Sequence, residues 1–257
     1  RVSPEAPAMV MDADRHTFVP GGAANVVNNV CALGASASIT GVIGHDSAGL
    51  TLIEKLAEEG AAIGGLIESP SRPTTLKTRV IAHSQQGSQQ VLRVDHEKRD
   101  PIDAEEQQRI ISFLENAIPN CDAVLLSDYQ KGLLRKSLVD SVVELARQHG
   151  KIITGNVKPR GIATHCRLTV ITLNVYEASE ASGFMLGDGG ASSEGTLREA
   201  GKVILRKSGA ENVLITRGAH GLTLFSADGE IFHLPAHPVE VFDGTEPGDT
   251  VIFVAFG

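Results

Sequence analysis

Residues 123–154, AVLLSDYQKGLLRKSLVDSVVELARQHGKIIT, decide the architecture. The apolar run at 123–127 reads as a strand, residues 136–149 as a helix, and residues 151–154 as the next strand. A strand, a helix and a second strand at this spacing form the β-α-β unit of a parallel sheet. The first strand runs out into Ser127-Asp128-Tyr129-Gln130-Lys131-Gly132. That places polar groups at the carboxyl end of an apolar strand, where open α/β sheets bind their ligands.

The same rhythm extends in both directions. Residues 23–33 read as a helix with Val26, Val27, Val30 and Leu33 on one face; 37–43 follow as a strand, 48–59 as a helix ending at Gly60, and 61–68 as a strand. A helix at 104–117 precedes the quoted stretch. A strand at 169–173, a helix at 194–208 and a strand at 212–216 come after it. Strands at 222–226 and 230–234 flank Ala227-Asp228-Gly229, a hairpin turn by its Asp-Gly pair. Residues 74–82 and 89–95 have another texture: β-rich, polar on one side, and separated by the turn-prone Ser84-Gln85-Gln86-Gly87-Ser88. They predict a hairpin projecting from the main body, either a lid or a plain edge hairpin. A helix opens at 248–255. The chain thus reads as one α/β domain over residues 1–257, with both ends falling inside the fold rather than at its edges.

Composition narrows the functional classes. The 257 residues are 42% hydrophobic, enough for one large buried core, and carry a net charge of −8 with no long basic stripe. A nucleic-acid partner, which draws on clustered Lys and Arg, is disfavoured. With 4% aromatic residues and no Trp, base stacking is disfavoured too. No apolar run of membrane-spanning length and no signal peptide is expected. Cys31, Cys121 and Cys166 are odd in number and widely spaced. They predict neither a disulfide framework nor a metal site, and suit small buried positions in a reducing cytoplasm.

Five polar segments follow apolar runs or open helices. Pro20-Gly21-Gly22-Ala23-Ala24-Asn25 puts paired glycines and an amide before a helix, suited to sugar hydroxyls or simply to a tight cap. Asp128 and Lys131 suit a sugar hydroxyl, a cation or an anionic group, or else a helix cap beside a solvated Lys. Asn174-Val175-Tyr176-Glu177 brings an Asn and a Glu to one side of a first helical turn. The pair can order the water shell of Mg²⁺, or form a capping box. Thr216-Arg217-Gly218-Ala219-His220-Gly221 suits a phosphate-covering turn or a common hairpin loop. In Asp243-Gly244-Thr245-Glu246-Pro247-Gly248-Asp249-Thr250, a Gly-rich loop enters a helix. Backbone N–H groups there can hold a transferring phosphoryl group while Asp249 accepts a proton. Capping by Asp249 is the alternative.

The order of the five resembles the ribokinase-like (PfkB) carbohydrate kinases over essentially the whole chain. Val2-Ser3-Pro4-Glu5-Ala6-Pro7, the double-glycine segment and Leu126-Ser127-Asp128-Tyr129-Gln130-Lys131-Gly132 look most like the heptose-7-phosphate kinases of ADP-heptose synthesis. The resemblance implies a mainly parallel central sheet flanked by helices, with the hairpin near 74–95 as a small β lid. It implies a sugar-phosphate site at Gly21, Gly22, Asn25, Asp128, Lys131 and Lys158. Nucleotide contacts are implied at Asn174, Glu177, Thr216, Arg217, Gly218 and Gly221, with Asn174 and Glu177 reaching Mg²⁺ through water. Asp249 matches the general base, beside Gly248. ATP, a cytoplasmic setting and a homodimer paired through the lid are further expectations of this kind.

Three segments depart from the family pattern. Glu246-Pro247 stands where the family loop has Gly-Ala; proline removes one N–H donor, and Glu246 brings negative charge towards the phosphates. Losing one such donor costs about 2.7–4 kcal/mol of transition-state stabilisation. Gly155-Asn156-Val157-Lys158 replaces Asp-Pro-Lys, and Leu173 replaces a Pro before Asn174. The family's first strand, with its substrate-binding Asp, and its last helices are not found within residues 1–257. Two alternatives therefore stand beside an active heptose-phosphate kinase: a catalytically impaired sugar- or nucleotide-binding domain of the same fold, and a kinase with a different sugar acceptor.

Overall fold

A computed structural model describes residues 13–84, 87–187 and 194–237. The first helix, α1 (Ala23–Ala32), starts at Gly22 and buries Ala24, Val26 and Val27. It leads into β1 (Ser38–Gly44), α2 (Ser47–Glu58) and β2 (Ala62–Ser69). Asp46 caps α2 by accepting the Gly49 N–H at 2.9 Å, satisfying one of the donors that every helix start leaves open. Strands β1 and β2 pair in parallel, as the β-α-β reading requires. Among the described residues they form a two-stranded sheet of their own rather than joining the larger one.

Next come β3 (Leu76–Ser84) and β4 (Gly87–His96), an antiparallel two-stranded sheet where the hairpin was expected. α3 (Ala104–Ala117) opens with a reciprocal capping box between Asp103 and Glu106. β5 (Ala123–Ser127), α4 (Lys136–Gln148), β6 (Ile152–Asn156), β7 (Val170–Asn174), α5 (Val175–Ser182), α6 (Glu194–Ser208), β8 (Asn212–Thr216), β9 (Leu222–Ser226) and β10 (Ile231–Leu234) complete the described part. The six-stranded sheet runs β10-β9-β8-β7-β6-β5. Strands β5 to β8 are parallel, and β9 and β10 add an antiparallel edge.

The core lies where parallel strands must bury both faces. Ile153, Val170, Ile171, Val213 and Ile215 are all at most 1% exposed. α4 lays Leu138, Val139, Val142, Val143 and Ala146 on this sheet, an apolar stripe with helical spacing. A smaller cluster, including Ala24, Val27, Ile39, Leu56 and Ala61, joins α1, α2 and β1.

The cysteine expectation is corrected. Cys31, Cys121 and Cys166 are each partly exposed and unpaired with one another. Cys121 and Cys166 sit at chain turns, where their thiols donate to the carbonyls of Ile118 and Ala163. A thiol at such a turn is held by the local backbone rather than by core packing.

Candidate active site

Registered pairing brings the carboxyl ends of β5 to β8 to one edge of the sheet: Ser127 lies opposite Asn156, Asn156 opposite Thr172, and Asn174 opposite Thr216. The segments following these strands are the ones marked out by sequence, so sheet topology gathers most of them.

Gly22 is the hinge between the double-glycine loop and α1. Its φ of 58° is in the left-handed region, and a Cβ there would stand 3.4 Å from the Tyr129 ring. Glycine therefore lets the turn close while Tyr129, from the loop after β5, packs against it. Gly21 is exposed beside it, and Asn25 lies partly buried on the first turn of α1. Tyr129 in turn lies under Lys158, whose Nζ is 5.5 Å from the ring centroid, a cation–π contact.

Lys158 follows β6 and the fully buried Val157. Its ammonium is 2.6 Å from Glu177 Oε1. The other carboxylate oxygen, Oε2, accepts the Asn174 N–H at 2.9 Å, and Asn174 Oδ1 accepts the Glu177 N–H at 2.9 Å. The capping box is therefore formed, and the same Glu177 faces Lys158. Gly22, Tyr129, Lys158, Glu177 and Asn174 make one continuous line, which joins the two sides of the expected cleft.

Asp128 and Lys131 are placed differently from a simple substrate grip. Asp128 is 7% exposed; its Oδ1 accepts the Gln130 N–H at 2.7 Å and its Oδ2 faces His165. Lys131 reaches Glu97 Oε2 at 2.5 Å, at the foot of the β3–β4 hairpin. The Lys131 and Arg99 cations hold the Glu97 carboxyl well below its ordinary 4.5, at about 2. Arg72, at the other foot of the hairpin, donates from Nη2 to the carbonyls of Asp100 at 2.8 Å and Lys131 at 3.2 Å. The hairpin and the 128–132 loop are thereby knotted together.

In the segment expected to face a nucleotide, Thr216 ends β8, and Gly218 and Gly221 bound a short 3₁₀ turn with φ of 55° and 78°. A Cβ on Gly221 would collide with the Leu234 carbonyl oxygen. Arg217 is only 9% exposed and its Nη1 lies 3.4 Å from Thr223 Oγ1, so its guanidinium points into the fold rather than out over a ligand. Gly248 and Asp249, with Glu246 and Pro247, lie outside the described residues, as does the Val2–Pro7 segment.

Among the described residues no three His, Cys, Asp or Glu side chains gather to hold a metal ion. Asn174 with Glu177 still fits a magnesium ion held through water, since Mg²⁺ keeps several waters and takes one or two carboxylates plus substrate phosphates. Among the described residues each Glu177 oxygen accepts one hydrogen bond and retains lone-pair capacity.

Sequence reasoning missed Tyr129, His165, Glu97 and Arg72 as members of this region. Tyr129 lay within a quoted motif, and its isolation as one of two tyrosines was the available signal. Glu97, Arg72 and His165 are brought in by contacts over long sequence separations, which no local pattern reports.

The family model for pfkB family carbohydrate kinases matches residues 1–253. The chain belongs to this family. Within the pfkB family it is 41% identical to the bifunctional protein HldE of Desulfatibacillum aliphaticivorans and 37% identical to that of Geobacter metallireducens, over 254 residues each. Each alignment covers 99% of this chain and 50% of the relative, so the chain spans about half the length of these curated relatives. Among solved pfkB-like folds, the tetrameric inhibited form of phosphofructokinase-2 from Escherichia coli superposes with a TM-score of 0.72 at 16% identity, covering 96% of this chain and 78% of that one. Arabidopsis thaliana ribokinase complexed with ribose and ATP gives 0.69 at 18%, covering 94% and 75%. The fold is ribokinase-like, as the sequence predicted.

Proposed function

We propose that this chain is an ATP-dependent sugar kinase that phosphorylates the 1-hydroxyl of D-glycero-β-D-manno-heptose 7-phosphate. The observation that carries this reading is the identity of 37–41% with HldE proteins over 99% of the chain. The heptose-kinase look of residues 126–132 and of Val2–Pro7 supports the acceptor.

In the proposed reaction the acceptor oxygen attacks the γ-phosphorus, its proton passes to Asp249, and the bond from the γ-phosphorus to the bridging oxygen breaks to release ADP. Gly248 and the neighbouring backbone N–H groups hold the transferring phosphoryl group at the helix start. Gly21, Gly22, Asn25 and Tyr129 bound the sugar, and Lys158 offers its positive charge to the acceptor phosphate. Asp128 and Lys131 act on the sugar side through the loop they hold in shape. Thr216, Gly218 and Gly221 shape the nucleotide loop, with Arg217 bracing it from within. Asn174 and Glu177 would hold a magnesium ion through water, and that ion would supply charge neutralisation for the phosphates.

The test is ATP consumption by the full-length protein with heptose 7-phosphate beside a panel of pentose and hexose phosphates. Turnover with heptose 7-phosphate above the panel supports the reading. Preference for another sugar moves the acceptor assignment, and no turnover with any sugar sinks the kinase. Glu246-Pro247 favours one second reading, a binding domain of the same fold with an impaired anion hole; rapid turnover by the unaltered protein would exclude it.

We further propose a homodimer through the β3–β4 hairpin. Leu92 and Val94 are 51% and 52% exposed. Pairing places them on one face with Val80 and Thr78, an apolar surface suited to a second copy of the lid.

A further inference from the structure

His165 is a buried polar side chain to which the proposed reaction gives no task. It is 0% exposed, and its Nδ1 lies 2.9 Å from the Gly161 carbonyl oxygen. A carbonyl only accepts, so Nδ1 carries the proton. The other ring nitrogen, Nε2, has no hydrogen-bond partner among the described residues and stands 3.5 Å from Asp128 Oδ2. Gly161 closes the third corner, where a Cβ would stand 3.2 Å from Asp128 Oδ2 and 3.4 Å from His165 Nδ1. An apolar side chain of similar size would fill this space without burying an unsatisfied polar atom, so packing alone does not account for a histidine.

The two ends of the contact belong to the two halves of the sugar side. Asp128 immediately precedes Tyr129, the ring that touches Gly22 and lies under Lys158. Gly161 donates its N–H to the Lys158 carbonyl at 2.8 Å and so closes the turn that presents Lys158. The imidazole spans the gap between them. We propose that His165 is a positioning residue for the acceptor subsite: it sets the loop carrying Tyr129 against the turn carrying Lys158, so that ring and ammonium meet the sugar phosphate together. This rests on the kinase reading above and adds a residue to it.

The experiment compares the full-length protein with His165→Phe, which keeps an aromatic ring but no nitrogen, and His165→Gln, which restores a polar end near Nε2. Two readouts are taken: steady-state kinetics with heptose 7-phosphate at saturating MgATP, and ¹³C NMR of ring-labelled tyrosine. The Tyr129 signals are those that Tyr129→Phe removes from the spectrum. In His165→Phe the acceptor KM should rise about tenfold, the scale of one charge-assisted contact. Its kcat should stay within about twofold, the Tyr129 ring signals should shift, and Gln should recover most of the KM. An unchanged acceptor KM with unmoved Tyr129 signals overturns the proposal, as does a fall in kcat alone. If the wild-type protein turns over no sugar, the kinase reading fails while the Tyr129 signals still decide the positioning role. If the Phe variant does not fold, Asp128→Asn takes its place, and Tyr129 signals unmoved by it overturn the proposal.

Discussion

Asp249 is the residue on which the proposed chemistry turns, because a sugar hydroxyl must lose its proton as it attacks phosphorus. Asp249→Asn keeps size and capping ability but removes the base, and kcat should fall about 10²- to 10⁴-fold with KM values little changed. A variant retaining more than a tenth of the activity would assign the base elsewhere. Glu246 and Pro247 act on the same step from the other side. Replacing the pair together, Glu246→Gly with Pro247→Ala, restores one N–H donor and removes a negative charge, which should raise kcat by about 10²- to 10³-fold if that donor faces the transferring phosphoryl group. A rate equal to wild type would show that this loop's N–H groups do not limit turnover. Gly221 makes a third prediction, one of stability. Its φ of 78° and the Leu234 carbonyl leave no room for a Cβ, so Gly221→Ala should cost about 1–3 kcal/mol and lower the Tm by several degrees. An unchanged Tm would mean the 234–236 segment yields at little cost.

At the scale of elements, ion pairs and hydrogen bonds tie the hairpin to the 128–132 loop. Glu97 joins Lys131 of the 128–132 loop to Arg99 at the hairpin foot, while Arg72 ties the carbonyls of both segments. The folded Glu97 carboxyl titrates near 2, below its ordinary 4.5. Its contribution to stability is therefore complete above pH 4.5 and is lost as pH falls from there towards 2. The Tm difference between wild type and Glu97→Gln should be present at pH 6, shrink below 4.5 and vanish near 2. A difference constant across that range would remove the carboxylate's charge from the account.

For the whole molecule, the prediction concerns assembly. If the proposed dimer forms, Leu92→Glu with Val94→Lys puts charges on the exposed face of the β3–β4 hairpin, and sedimentation should then show a monomer where the unaltered protein sediments as a dimer. Equal sedimentation of the two would place any interface elsewhere. Much of the described architecture was legible along the chain. The helices at 104–117 and 194–208 and the strands at 123–127, 212–216 and 222–226 were read to the residue. Short-range alternation, helix periodicity and Gly stops are properties of neighbours in sequence, and each element's identity follows from them. The order of the glycine-rich and acidic motifs likewise pointed to the family. Side-chain partnership was not legible. Lys131 turns to Glu97, Arg217 turns inward, and Asp128 faces a histidine 37 positions away, because each choice depends on which group the packed sheet brings within a few ångströms. By itself the sequence determined the elements and the kinase lineage, through local and motif-level physics. Only the tertiary structure decided that Gly22, Tyr129, Lys158 and Glu177 form one line, since parallel strands in register align loops that the chain keeps far apart.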